Sequence, residues 1–321
     1  MVATTRLVTI FGGSGFVGTQ VTQAFARAGY RVRVAVRRPD LAGHVRPLGN
    51  VGQVMPIQAN LRNMESVQRA VRGAEIVVNL VGIGYEAGRQ RFRAVHAMGS
   101  RNVAMAAKAA GARALVHMSA RGADPQSAAA YSRSKAMGEQ EVLAAFPEAV
   151  IVRPSIIFGP GDGFFNRYGG LARMMPVLPV FGAAARFQPV YLGDVADAIV
   201  KAAEGLVPAG RVYELGGPDI ETHRQLIERV LRETGRHNPL LPVPGPIGKL
   251  IALPFDLLPF PPVITSDQIE MLQVDNVVSD TAIAEGRTLA AFGIEPTSMD
   301  AILSSYLWRF MKNGQFDRQT A

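Results

Sequence analysis

Along the first 155 residues the hydrophobic positions come in short unbroken runs, separated by stretches where they recur every three or four residues. Residues 7–11, Leu-Val-Thr-Ile-Phe, are a run of the first kind, the pattern of a strand covered on both faces. Val17, Val21, Ala24, Phe25 and Ala28 follow at helical spacing, and Gly29 stands where a helix end favours a positive φ. The alternation then repeats. Strands are predicted over 30–36, 53–57, 75–81, 113–118 and 149–152, and helices over 64–72, 89–110 and 128–146. Strand–helix units joined by short turns predict an α/β fold with a doubly wound parallel sheet of the Rossmann type.

After residue 153 the rhythm breaks, and proline and glycine become dense at 153–154, 159–161 and 176–179. Residues 188–192 are expected to return a strand to the first sheet, and 195–203 a helix. Residues 205–321 read as a smaller, mostly helical C-terminal lobe with one strand at 211–215. The expected division is a nucleotide-binding domain over 1–155 with a return segment at about 187–204, and a smaller lobe over 156–186 and 205–321. Residues 159–163, Gly-Pro-Gly-Asp-Gly, suit either a substrate lid or a rigid connection. The proline-rich apolar stretch 240–262 suits either core or an exposed patch for a protein partner or a membrane surface.

Composition narrows the chemistry. The chain has 321 residues and no cysteine, which excludes disulfides, thiolate metal sites, iron–sulfur clusters and thiol catalysis. The five histidines are scattered without ligand spacing, so no metal site is expected. His96 and His117 are expected to be packed side chains, His117 beside the site. The net charge of +8 comes almost entirely from arginine, without a block of five like charges or a nucleic-acid module, so no nucleic-acid partner is expected. No targeting segment is expected and no apolar run of about 18 residues occurs, so the expected location is cytoplasmic, or peripheral on an inner membrane, on the matrix side if organellar.

Gly12, Gly15 and Gly18 lie between the first strand and the first helix at the spacing G-x-x-G-x-x-G. In that context the glycines permit a tight turn, close approach to a pyrophosphate and close packing of helix on sheet. The open N–H groups of the helix start then face the phosphates, and Ser14 inside the turn is a further candidate. At the end of the second strand stand Arg37 and Arg38, where a carboxylate would hold a ribose 2′-hydroxyl; Asp40 lies beyond Pro39. A guanidinium fork matches a 2′-phosphate, so NADP(H) is expected over NAD(H). Tyr131 and Lys135 sit four apart on a predicted helix and share a face. An ammonium beside a phenol is expected to lower its pKa and make it a general acid or base for hydride-transfer chemistry.

With these motifs the chain resembles the short-chain dehydrogenase/reductase superfamily in its extended or atypical branch. The resemblance rests on residues 12–18, Asn60-Leu61, Asn79-Leu80-Val81-Gly82, His117-Met118-Ser119, 131–135, 153–162 and 188–194. It is closest to the alpha-subcomplex subunit nine family of respiratory complex I, through 44–49, 146–154, 188–191 and 264–268. The resemblance implies that Gly12, Gly15, Phe16, Val17 and Gly18 hold a pyrophosphate, Arg37 and Arg38 a 2′-phosphate, Asn60 and Leu61 the adenine, and Val81 and Gly82 the length of the cofactor. Ser119, Tyr131, Lys135, Pro154 and Ile156 would line the nicotinamide half. Active extended members carry a catalytic Ser or Thr where this chain has Arg121, and Asn60 replaces the usual Asp. The implied function is an NADP(H)-binding accessory subunit of complex I; the alternative is a free oxidoreductase or epimerase.

Overall fold

The computed structural model describes residues 6–257, 264–312 and 314; part of the 240–262 stretch therefore lies outside the described residues. The strands are β1 (Leu7–Phe11), β2 (Arg31–Val36), β3 (Val54–Gln58), β4 (Ile76–Asn79), β5 (Ala114–Met118), β6 (Val150–Pro154), β7 (Ile157–Phe158), β8 (Leu178–Phe181), β9 (Arg186–Phe187), β10 (Val190–Tyr191), β11 (Val212–Leu215), β12 (Glu221–Thr222) and β13 (Leu240–Val243). The helices are α1 (Phe16–Arg27), α2 (Met64–Val71), α3 (Gly99–Ala109), α4 (Ala130–Ala145), α5 (Phe165–Met174), α6 (Leu192–Glu204), α7 (His223–Glu233), α8 (Gly245–Leu257), α9 (Ser266–Met271), α10 (Asp280–Ala284) and α11 (Met299–Leu307).

Seven strands form one parallel sheet in the order β11-β6-β5-β4-β1-β2-β3. Chain order reverses at β1, whose neighbours are β2 and β4, so the topological switch point lies outside the C-terminal ends of β1 and β4. Strands β1 and β4 are almost wholly buried, as the apolar runs require when both faces are covered. Phe11, Val67, Val77, Val103, Leu115, Val142 and Phe146 form a core that joins β1, β4 and β5 to α2, α3 and α4. Asn63 caps α2, its side chain accepting from the Ser66 N–H at 2.8 Å.

The chain divides into two compact units: 1–154 with 193–215 and 280–295, and 155–192 with 216–279 and 296–321. Two strand expectations are corrected. Val190–Tyr191 does not return to the large sheet but pairs with Ile157–Phe158. The seventh strand is instead Val212–Leu215, beside β6. Strand pairing is a long-range choice, and the local pattern of either segment is equally strand-like. The long helix expected over 89–110 is also split, beginning with a π-helical turn at Arg93–Met98 that passes into α3.

The second unit has its own core of Phe158, Phe165, Leu178, Leu226, Ile227 and Leu303. At its 159–163 turn, the buried Asp162 carboxylate accepts from the N–H groups of Phe164, Phe165 and Asn166 at 2.9, 2.6 and 3.3 Å and from the Tyr306 hydroxyl at 2.6 Å. These bonds satisfy the start of α5 and make the turn a rigid cap. Among the described residues no helix is long and apolar enough to cross a membrane.

Candidate functional site

The glycine turn follows β1 at the switch point. Gly12 takes φ +81°, a conformation open to glycine. A Cβ on Gly18 would lie 2.0 Å from the Gly12 carbonyl oxygen and 2.6 Å from the Gly13 Cα, so α1 crosses the turn at a distance only glycine allows. Gly15 is different. It has φ −80° and ψ −177°, which any residue adopts, and a Cβ there would meet only the Gly12 oxygen at 3.4 Å. Folding does not demand glycine at this exposed position; a ligand pressed against the backbone would. α1 starts at Phe16 with no side-chain cap and no acidic residue in its first turn, so its N–H groups and dipole stay available to an anion. Phe16 is half-buried and Val17 is buried, so the cradle is a backbone surface with Ser14 on its rim.

On one side of this turn is the end of β2. The registers Phe11↔Ala35 and Val36↔Gln58 bring Arg37 and Arg38 out between the glycine turn and Asn60. Both arginines are exposed. Arg38 is already engaged, its Nε and Nη2 donating to the Asp40 carboxylate at 3.0 and 2.7 Å. That hydrogen bond holds Asp40 below the usual carboxylate range. His44, four residues on, brings its Nε2 to 3.2 Å from the Ser14 carbonyl and ties the segment after β2 to the glycine turn. Neither tie is visible as a sequence motif. Asn60 is turned to local use, its Oδ1 accepting from the Arg62 N–H at 3.2 Å. Leu61 sends its side chain into the core, while its carbonyl accepts from Asn102 Nδ2 at 2.8 Å.

On the other side, the ends of β4 and β5 meet α4. Tyr131 and Lys135 lie one turn apart on α4, as the spacing predicts. Lys135 Nζ donates to the Met118 carbonyl at 3.1 Å, and a Cβ on Gly82 would lie 3.5 Å from that nitrogen. Gly82, Lys135 and the end of β5 therefore share one corner of the crevice, with Val81 half-buried beside Gly12. Ser119 is buried there, and its Oγ has no hydrogen-bond partner among the described residues. A buried hydroxyl left unpaired costs about 1–3 kcal/mol, so this corner is built to gain from a polar ligand. Pro154 ends β6 and accepts from the Arg121 N–H at 2.9 Å. Ile156 falls in the second unit, packed against that unit's core.

The titration expected of the pair is corrected. Burial pushes the Tyr131 phenol up to about 12. The ring stands edge-on to Phe92 and His96, at 5.8 and 5.4 Å, and the ammonium is occupied at the Met118 carbonyl. Burial likewise lowers Lys135 to about 8, against the opposing charge of Glu139.

His96 organises this corner. Its Nε2 accepts from the Ile83 N–H at 3.0 Å, so the ring proton sits on Nδ1 and is donated to Ser134 Oγ at 2.8 Å. The Ser134 hydroxyl passes on to the Tyr131 carbonyl at 2.7 Å. One buried ring thus joins the loop after β4 to α4, and burial with the Lys135 charge pulls it down to about 3. The π-helical turn lets His96 approach so closely that a Cβ on Gly138 would lie 2.3 Å from its carbonyl oxygen. His117 is held at about 3 by burial first, then by Lys135 and His96, so both histidines are neutral packed side chains, as expected.

Arg121 does not face the corner as a free cation. Its Nε lies 3.1 Å from the buried Glu214 carboxylate, whose other oxygen is 3.7 Å from Arg153 Nη1. Arg153 is in turn held in a fork by Glu139, at 2.8 and 2.6 Å. Arg121, Glu214, Arg153 and Glu139, from the ends of β5, β6 and β11 and from α4, form one chain of alternating charge.

The profile of the NAD dependent epimerase/dehydratase family matches residues 8–216. The chain is 35% identical over 292 residues to NADH dehydrogenase [ubiquinone] 1 alpha subcomplex subunit 9, mitochondrial, of Arabidopsis thaliana, covering 86% of this chain and 72% of that one. It is 36% identical over 198 residues, 60% of each chain, to the ceramide reductase of Caulobacter vibrioides. In structure it is similar to the Thermus thermophilus UDP-glucose 4-epimerase solved with NAD, with TM-score 0.67 at 20% identity over 95% of this chain and 98% of that one. The chain therefore belongs to the NAD dependent epimerase/dehydratase family, in the branch that holds the alpha subcomplex subunit 9 proteins of NADH dehydrogenase.

Proposed function

We propose that this protein binds NADP(H) as a fixed structural group and serves as an accessory subunit of NADH:ubiquinone oxidoreductase. The observation that carries the reading is Arg121: where an active site would want a hydroxyl, a guanidinium is locked to Glu214 at 3.1 Å. With Tyr131 pushed up to about 12, its phenolate is disfavoured as a base at neutral pH, while the glycine turn and the uncapped start of α1 remain. When bound, the dinucleotide would supply hydride chemistry and, by binding only the folded state, stability. Gly12, Gly15 and Gly18 with the start of α1 would hold its pyrophosphate, and Arg37 and Arg38 its 2′-phosphate. Asn60 and the Leu61 backbone would flank the adenine, Val81 and Gly82 the middle, and Ser119, Tyr131, Lys135 and Pro154 the nicotinamide half.

Complex I subunits are the proposed partners, and α8 supports a docking role. Its small residues Gly248 and Ala252 face inward, while Ile247, Leu250, Ile251 and Leu253 are exposed at 46–71%. An inverted apolar helix face of this kind fits a protein partner, with peripheral contact at an inner membrane. The proposed location is the cytoplasmic or matrix face of that membrane.

The second reading, a free oxidoreductase or epimerase, is favoured by the survival of Tyr131 and Lys135 on one face and by the likeness to a protein named as a reductase. Two measurements separate them. Mass spectrometry of the small molecule released from purified protein should show NADPH or NADP⁺ in near-equal ratio to protein. Pull-down from solubilised membranes should recover NADH dehydrogenase subunits. Recovery of none, with turnover of a carbonyl substrate that vanishes in Tyr131→Phe, would establish the enzyme instead.

A further inference from the structure

We propose that Asp40 is a specificity-determining residue that sets how strongly the site favours a 2′-phosphorylated dinucleotide, by engaging Arg38 and leaving Arg37 as the stronger of the two cations toward the extra phosphate. The inference rests on the dinucleotide reading above and deepens it. Arg38 uses its Nε–Nη2 edge on the Asp40 carboxylate, with bonds of 3.0, 3.2 and 2.7 Å. That edge is the fork with which a guanidinium grips a phosphate or carboxylate in two parallel bonds. The position reached by the β2 end therefore sees Arg37, Arg38 and Asp40 together, a net charge of +1 where the two arginines alone would give +2.

Geometry keeps this pair at the site. Asp40 and His44 belong to one ten-residue segment, Pro39–Leu48, which buries Ala42 and Val45. His44 holds that segment to the Ser14 carbonyl at 3.2 Å. The segment cannot swing Asp40 away without releasing both anchors. Arg37 is exposed and forms no ion pair among the described residues. A 2′-phosphate arriving here is repelled by the Asp40 charge and meets an Arg38 whose fork is already filled. A 2′-hydroxyl suffers neither penalty and can donate a hydrogen bond to the carboxylate.

The test is calorimetric titration of the full chain with NADPH and NADH, comparing the wild type with Asp40→Asn, Arg37→Gln and Arg38→Gln. All three positions are exposed, so the variants should melt within a degree or two of the wild type. Asp40→Asn should tighten NADPH about five- to tenfold and leave NADH within about twofold, and 0.5 M salt should erase most of that gain, since the charges are exposed. Arg37→Gln should weaken NADPH at least about tenfold and Arg38→Gln no more than about threefold. An NADPH-to-NADH ratio unmoved or lowered in Asp40→Asn, or a larger loss in Arg38→Gln than in Arg37→Gln, overturns the assignment while the site itself stands. No heat with either dinucleotide in the wild type overturns the site reading and this inference together.

Discussion

Gly15 and Gly18 differ by three positions in one turn, yet their replacement by alanine should fail in opposite ways. In Gly18→Ala the new methyl would lie 2.0 Å from the Gly12 oxygen and 2.6 Å from the Gly13 Cα, both backbone atoms with no side-chain freedom to yield. Relief needs a backbone shift of more than about 1 Å, and overpacking of that kind costs roughly 3 kcal/mol. Alanine's better helix propensity returns up to about 1 kcal/mol. The net loss of about 2 kcal/mol corresponds to a fall in melting temperature of roughly 4–8 °C for a unit of this size. In Gly15→Ala the methyl meets only the Gly12 oxygen at 3.4 Å and the backbone angles are ordinary. Its cost is that of a poorer helix cap, about 1 kcal/mol or less. The methyl would, however, stand between the N–H groups of α1 and the pyrophosphate, and should weaken dinucleotide binding at least about tenfold, or 1.4 kcal/mol. Thermal melts without ligand and calorimetric titration with NADPH measure the two effects separately. Wild-type affinity in Gly15→Ala would refute the idea that this glycine exists for the ligand, and a wild-type melt in Gly18→Ala would refute the close crossing of α1 over the turn.

Acid should destabilise the fold before carboxylates titrate. His96 and His117 are held at about 3 and His223 at about 4 by burial, against 6.5 when exposed, so between those values the unfolded chain binds more protons. Stability is complete above about pH 6.5 and is lost as pH falls toward 3–4; urea midpoints should drop between pH 7 and 5, and a flat profile there contradicts the neutral histidines. Glu214→Ala removes a buried counter-charge shared by Arg121 and Arg153, the latter retaining Glu139; a loss of about 3 kcal/mol in urea denaturation is expected, and a neutral result would show that the network adds nothing. His96→Ala orphans the Ile83 N–H and leaves a hole beside Tyr131; it should cost roughly 3 kcal/mol and shift the Tyr131 resonances, and an unchanged spectrum would deny the coupling.

The strand–helix rhythm, the glycine turn and the one-turn spacing of Tyr131 and Lys135 were legible because each depends on near neighbours along the chain. Apolar runs demand two covered faces, and the steric demands of a turn after a strand are met within seven residues, Gly12 to Gly18. Arg37 and Arg38 could be assigned to the end of β2 by counting. Counting could not show that Arg38 is spoken for, since an ion pair two residues apart forms only if Pro39 turns the chain back. Nor could it separate 190–191 from 212–215 as the source of the seventh strand, because sheet edges choose partners by long-range fit.

Local order, then, was the sequence's own work: which segments extend, which coil, where the glycine turn stands. Charge and proton affinity were settled by the tertiary structure alone. A phenol beside an ammonium in the sequence reads as a lowered pKa, but folding places Tyr131 among Phe92 and His96 and sends the ammonium to the Met118 carbonyl, so burial wins and the phenol rises. Electrostatic interactions act through space and solvent exposure, and neither is defined until distant segments have packed together.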